Sequence, residues 1–240
     1  MIIAAHQPLY LPWLGYLDRM AKADLFVVID DAPFEAQGFA NRNRVKLASG
    51  AGWLTVPLEK SARRERIFEK RISNRAAGKD GWRRRTWATI ESSYRRAPYF
   101  GRYANELHDL YARTWTSLVD LDLHLIGLAR RWLGITVPMV RSSLLGLQGA
   151  GTDRLIDMCR KLKARAYLSG TGMQARSLDV ERMGRAGIGV VWQHFDHPVY
   201  PQRHGGFLPQ LAFIDLVMNC GDSSREVLFD RAHPFHANAA

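Results

Sequence analysis

The first thirty residues constrain the fold more than any other stretch. Met1 to Ala5 is a short apolar run that reads as a buried strand. Leu14 to Ala23 follows, with Leu14, Leu17 and Met20 on one side and Asp18, Arg19 and Lys22 on the other. That three- and four-residue spacing predicts a helix. Leu25 to Ile29 is a second apolar run, rich in β-branched residues, and it ends in Asp30-Asp31. Strand, helix, strand over so few residues is a βαβ unit, which gives parallel strands joined by a right-handed crossover. Ligands of open α/β sheets sit beyond the carboxyl ends of the strands. His6 and the Asp30-Asp31 pair stand at such ends.

The rest of the chain extends this plan. Val45 to Leu47 and Trp53 to Leu58 are strand-like, with Ser49 to Gly52 as a hairpin turn. Trp82 to Tyr94, Tyr99 to Tyr111 and Ser117 to Leu133 carry helical apolar spacing, and Pro98 opens the second of them. A strand returns in "ITVPMVRSS". A helix over Arg154 to Leu162 leads to strands in "ARAYLSGTGMQ" and "GIGVVWQHF". A last helix, Leu208 to Met218, stops at Asn219-Cys220-Gly221. The prediction is one α/β domain over 1–233, built on a parallel sheet. It carries a basic, mainly helical insertion at about 60–133 and a flexible tail at 234–240.

Composition narrows the function. The apolar fraction of 47% and charged fraction of 24% are those of an ordinary globular protein. No apolar run reaches the ~18 residues that a membrane span needs. The start lacks the pattern of a signal peptide, so cytoplasmic residence and no membrane partner are expected. Cys159 and Cys220, far apart and without CxxC spacing, read as small buried residues. The net charge is +11, and residues 60–102 alone hold fourteen basic and four acidic residues. Such a balance suits a phosphate-bearing partner, or the plain surface of an arginine-rich protein.

Several residues carry chemistry. His6 can act as acid or base, and the prolines Pro8 and Pro12 fix its loop. Gln7, Tyr10 and Trp13 stand beside it, and the N-terminus of the following helix offers N–H groups for an anion. Asp30 and Asp31 can hold a ribose or an ammonium, or cap a turn; strand alternation turns one in and the other out. Asn41, Arg42, Asn43 and Arg44, with Lys46 nearby, form a candidate anion clamp. Ser169 and Gly170 open a turn whose N–H groups can cradle an anion. His194 and His197 flank Asp196, but strand alternation sends the two rings to opposite sides, so no metal is expected. GxSxG is absent, and neither cysteine has a local partner, which leaves covalent catalysis without support.

"HQPLYLPWLGYLDRMAKADLFVVIDDAPF", "NRNRVK", "WLTVPL", "YLSGTG" and "HPVYPQ", followed by "FLPQLAFIDLVMNCG", resemble the WbqC-like family in content and in order, from residue 3 to about 221. The resemblance implies a transferase that attaches an acyl or aminoacyl group to an amino sugar in polysaccharide or natural-product biosynthesis. Ala32-Pro33 replaces a polar pair common in the family, and Ala175-Arg176 stands where a Lys or Tyr is frequent. The first βαβ unit also resembles the nucleotide-binding half of HUP-type, Rossmann-like folds, though the second histidine of HxGH is replaced by Leu9-Tyr10.

The expectation is therefore a transferase acting on a nucleotide-linked or other phosphate-bearing small molecule. His6 and Asp31 are its catalytic candidates. Gln7, Tyr10, Trp13, Asp30, Asn41, Arg42, Asn43, Arg44, Ser169, Gly170 and Gln202 are its binding candidates, and no cofactor is expected. Two alternatives stay open. One is RNA binding, with tRNA as a possible acyl donor, through Arg83, Arg84, Arg85, Arg95 and Arg96 interleaved with Trp82, Trp87, Tyr94 and Tyr99. The other is a non-catalytic nucleotide-sugar binder.

Overall fold

The computed structural model describes residues 1–60, 65–75, 81–172 and 177–230. The chain opens with β1 (Ile2–His6), α1 (Leu14–Ala21) and β2 (Leu25–Val28). A hairpin follows, β3 (Arg42–Leu47) and β4 (Gly50–Thr55). Three helices come next: α2 (Gly81–Tyr94), α3 (Phe100–Ala112) and α4 (Leu118–Trp132). The chain then runs through β5 (Met139–Arg141), α5 (Gly151–Lys161), β6 (Ala166–Ser169), α6 (Val180–Arg185) and β7 (Gly189–Trp192). It closes with α7 (Phe213–Cys220) and α8 (Ser224–Phe229).

Five strands form one parallel sheet in the order β5-β2-β1-β6-β7. Ile3 sits beside Leu25, and Ile2 beside Ala166. Because strand side chains alternate, Ala4, Phe26, Val28 and Leu168 face one core, and Ile3, Ala5, Val27 and Tyr167 face another. The first core is filled from α1, α2, α3, α4, α7 and α8, the second from α5 and α6. The chain leaves β1 toward β2 across one face, and reaches β6 and β7 across the other. The order of winding therefore reverses between β1 and β6. This is a Rossmann-like α/β fold, with helices α2–α4 inserted between the hairpin and β5.

The structure moves several predicted boundaries. Leu47 pairs with Gly50, so only Ala48 and Ser49 connect the hairpin, and the Asn41–Arg44 block runs into β3 instead of forming a turn. The helix predicted from Arg154 begins at Gly151, three residues earlier. Gly149 (φ 78°) and Gly151 (φ 52°) bend the chain into it through left-handed backbone that a side chain would strain. The last predicted helix starts at Phe213, because Leu208 is tied to Gln202 by two hydrogen bonds. α4 keeps its sequence signals: Ser117 caps it by accepting from the Asp120 N–H, and Arg130 and Arg131 close its last turn. No helix among the described residues is long and apolar enough to cross a membrane. The tail at 234–240 and the basic residues Arg63, Arg64 and Lys79 lie outside the described residues.

A candidate active-site cleft where the sheet reverses

A cleft of about 780 Å³ lies at the carboxyl ends of the strands, where the winding reverses. Its size is that of an ordinary small-ligand site. His6 and Gln7 line it from the end of β1, Asp31 to Pro33 from the end of β2, and Ser169 and Gly170 from the end of β6. Gly149 to Thr152 close another side as the N-terminus of α5, where unpaired N–H groups and the positive end of the helix dipole favour an anion. The sequence reading placed that role on α1. From α1 only Arg19 reaches the cleft, because the turn before it is buried: Leu9, Tyr10 and Leu11 are core residues.

His6 is half-buried, and its Nδ1 lies 2.9 Å from the Gln7 carbonyl oxygen. A carbonyl can only accept, so Nδ1 carries the proton and Nε2 keeps its lone pair. Burial lowers the pKa to about 4, and the nearby charge of Arg19 adds to the effect. The imidazole is therefore neutral at physiological pH. Tyr16 supports the ring edge-on at 5.2 Å.

Arg19 is the residue that sequence reasoning missed. Its Nε donates to Gln193 Oε1 at 2.8 Å. Gln193 is itself fixed, donating to the Gly15 carbonyl at 2.8 Å and to Asp18 Oδ2 at 2.7 Å. The two outer nitrogens of Arg19 meet no acceptor among the described residues. Burial lowers its pKa from the ordinary arginine value, so the cation is poorly solvated. Its guanidinium lies against Gly170, where a Cβ would overlap it. That explains the Ser-Gly turn better than a backbone cradle does. In the sequence Arg19 looks like any charge on the polar side of a helix. The signal that bears on it is a distant one, Gln193, a polar residue directly after a strand.

The two aspartates diverge. Asp31 faces the cleft, is paired with Arg154, and accepts from Ser142 Oγ at 2.5 Å. Asp30 is fully buried and accepts from Arg141 Nε (2.6 Å), the Ser143 N–H (3.0 Å) and Ser143 Oγ (2.8 Å). Those bonds hold its carboxyl below the usual aspartate range despite its burial. Asp30 therefore ties β2 to β5, and the substrate role expected of it is corrected. Arg154, on the first turn of α5, was read only as the start of a helix.

The other candidates do not converge on the cleft. Tyr10 is buried, its hydroxyl 2.6 Å from that of Tyr111, so it cannot stack on a ligand. The Trp13 ring packs on Phe195 and folds over Gly15. Asn41 donates to the Val56 carbonyl. Asn43 is buried and donates to the carbonyls of Tyr10 (3.3 Å) and Leu11 (2.6 Å), holding Leu11 at an unusual φ of 47°. Arg42 bonds Gln37, and Arg44 reaches the Gln210 carbonyl. Gln202 is used up by Lys46, Leu208 and Asp215. Asp215 also accepts from Tyr94 and Tyr200, yet burial raises its pKa to about 6. The stacking roles given to Tyr10 and Trp13 and the binding roles given to Asn41, Asn43 and Gln202 are corrected to structural ones, and Arg42 and Arg44 lie outside the cleft lining.

The basic stretch divides in two. Arg84, Arg85, Arg95 and Arg96 are exposed, whereas Arg83 closes the end of α3 on the carbonyls of Ala112 and Arg113. Trp82 and Tyr94 are buried, and Trp87 stacks on Phe100. Trp82 and Tyr94 belong to the core and Trp87 is packed against it, so these three cannot interleave with bases as the RNA reading required; of the four aromatics named for it, Tyr99 alone is exposed. His194 pairs with Asp196 at 3.1 Å, while His197 Nδ1 donates to the Pro198 carbonyl. Among the described residues no group of three or more His, Cys, Asp and Glu side chains is placed to hold a metal ion.

The model of the WbqC-like protein family matches residues 7–227. The chain belongs to the WbqC-like family. It is 31% identical over 229 residues to uncharacterized protein Rv1507c of Mycobacterium tuberculosis (strain ATCC 25618 / H37Rv), covering 94% of this chain and 96% of that protein. No solved structure matches it. Two family blocks quoted from the sequence are joined in the fold, since Asn43 of "NRNR" clamps the turn of "HQPLYLPW". That turn carries the backbone on from His6 and leads into the helix that bears Arg19. Of the positions where the chain departs from the family, Ala32-Pro33 lines the cleft and Ala175-Arg176 lies outside the described residues.

Proposed function

We propose that this WbqC-like chain is a transferase that moves an acyl or aminoacyl group onto the amine of a phosphate-bearing substrate, such as a nucleotide-linked amino sugar. The observation that carries the reading is the pairing of a neutral His6 with Arg19, whose outer nitrogens meet no acceptor among the described residues, in one cleft at the reversal of the sheet. Arg19 binds the substrate phosphate as a two-pronged donor, and the N-terminus of α5 lines another side of the same cleft. Burial is the larger cause of the low His6 pKa, and a bound phosphate offsets the lesser one, the charge of Arg19. His6 Nε2 thus becomes more basic once the substrate is in place.

Nε2 then takes the proton as the amine attacks the acyl carbon. The C–N bond forms, the bond to the donor's leaving group breaks, and Nε2 returns the proton to that group. Asp31 holds Arg154 in place at the rim.

The test is a transfer assay read by mass spectrometry. UDP- and dTDP-linked amino sugars are offered with acyl-CoA and aminoacyl-tRNA donors. The expected product carries the added acyl mass, and His6→Asn lowers its rate by about 100-fold or more, the range of general acid–base catalysis. Turnover within a few-fold of the parent contradicts the role of His6.

The exposed Arg84, Arg85, Arg95 and Arg96 favour a second reading, in which tRNA docks outside the cleft as the acyl donor. Binding to tRNA then weakens steeply as salt rises.

A further inference from the structure

Phe39 and Trp53 are large apolar side chains left 40% and 48% exposed. They meet at 5.8 Å between ring centroids, tilted by 40°. Phe39 also lines the cleft, and Trp53 lies against Phe39 from outside the lining. The pair is braced. The Phe39 carbonyl accepts from the Tyr10 N–H at 3.0 Å. The Arg42 guanidinium lies 4.5 Å from the Trp53 ring centre and donates to Gln37 Oε1 at 2.8 Å. Arg44 approaches the same ring at 5.9 Å.

A rigid, exposed ring that opens on a polar cleft calls for a flat occupant. A protein partner buries ~800 Å² on each side, whereas two aromatic rings supply at most ~150–250 Å² each. The patch therefore suits a single ring and not a protein face. Its flank is cationic, matching a ring attached to phosphate.

We propose that Phe39, backed by Trp53 and Arg42, is the stacking wall for the nucleobase of the substrate whose phosphate lies on Arg19. The proposal rests on the reading of the cleft given above and adds that the substrate is a nucleotide held at both ends. Phe39 belongs to a loop and contributes no buried core, so its removal leaves the fold intact.

The experiment is calorimetric titration of the parent, Phe39→Ala, Phe39→Tyr and Arg19→Gln. The probes are UDP, CDP, ADP, GDP, ribose 5-phosphate and a short single-stranded oligoribonucleotide. Phe39→Ala is expected to weaken the best nucleoside diphosphate by about tenfold, within the range of base–aromatic stacking. Phe39→Tyr restores binding, and ribose 5-phosphate is unaffected by either change. Unchanged diphosphate binding in Phe39→Ala, with loss in Arg19→Gln, overturns the stacking wall and leaves the cleft reading standing. Dependence on Phe39 for the oligonucleotide alone assigns the wall to RNA and overturns the proposal. Failure of every small probe to bind the parent overturns both readings.

Discussion

His6 couples the site to stability as well as to chemistry. Its pKa is lowered from about 6.5 in the unfolded chain to about 4 in the fold. Between those values the unfolded chain holds a proton that the fold does not, so stability falls as pH drops from about 6.5 to 4. The limit is about 3 kcal/mol. Urea denaturation across that range should show this loss in the parent and a flatter curve in His6→Gln. A bound phosphate should also move the His6 titration, followed by NMR, upward from about 4, and Arg19→Gln should raise it without any ligand. Asn43 works at the same scale with a different result. It is the donor to two buried carbonyls and holds Leu11 in a left-handed turn. Asn43→Leu should cost about 2 kcal/mol or more, read as a fall in denaturation midpoint. Here the sequence was informative about which residues matter and silent about why. "NRNR" stood out as a cluster of charge and amide, but its asparagine faces the core. Arg19 did not stand out, because its function comes from Gln193, distant in the sequence.

Elements follow from local pattern where they are long and from tertiary contacts where they are short. α2, α3 and α4 appear at the expected places because each carries several turns of apolar spacing. The hairpin and the start of α5 shift because turn geometry, set by Gly50, Gly149 and Gly151, decides them. The α5 shift matters most, since it brings the helix N-terminus to the cleft. α4 also carries an unexpected group. Asp122 is fully buried, and neither carboxyl oxygen has a hydrogen-bond partner among the described residues. Burial pushes its pKa well above the usual aspartate value. As pH rises above about 4 the unfolded chain sheds this proton while the fold keeps it, so the group destabilises increasingly with pH. Asp122→Asn should therefore exceed the parent in stability by about 1 kcal/mol at pH 8, with the gap closing toward pH 4. A gap that does not narrow means the carboxyl is ionised in the fold.

At the scale of the whole molecule, the βαβ start was enough to predict a parallel sheet and to point to its carboxyl edge, where the cleft lies. The strand order was not legible, because no local pattern states that β6 returns beside β1. That return creates the cleft. It brings Ser169 and Gly170 to His6 and Arg19, and it leaves the clamp, the buried tyrosine and the arginine stretch elsewhere. Two positive regions are therefore separate: Arg19 inside the cleft, and Arg84, Arg85, Arg95 and Arg96 on the helical surface. Titration of a nucleoside diphosphate into the parent, Arg19→Gln and Arg96→Gln decides between them. Binding is expected to be at least tenfold weaker in Arg19→Gln and parent-like in Arg96→Gln. Parent-like binding in Arg19→Gln, with loss in Arg96→Gln, would contradict this expectation.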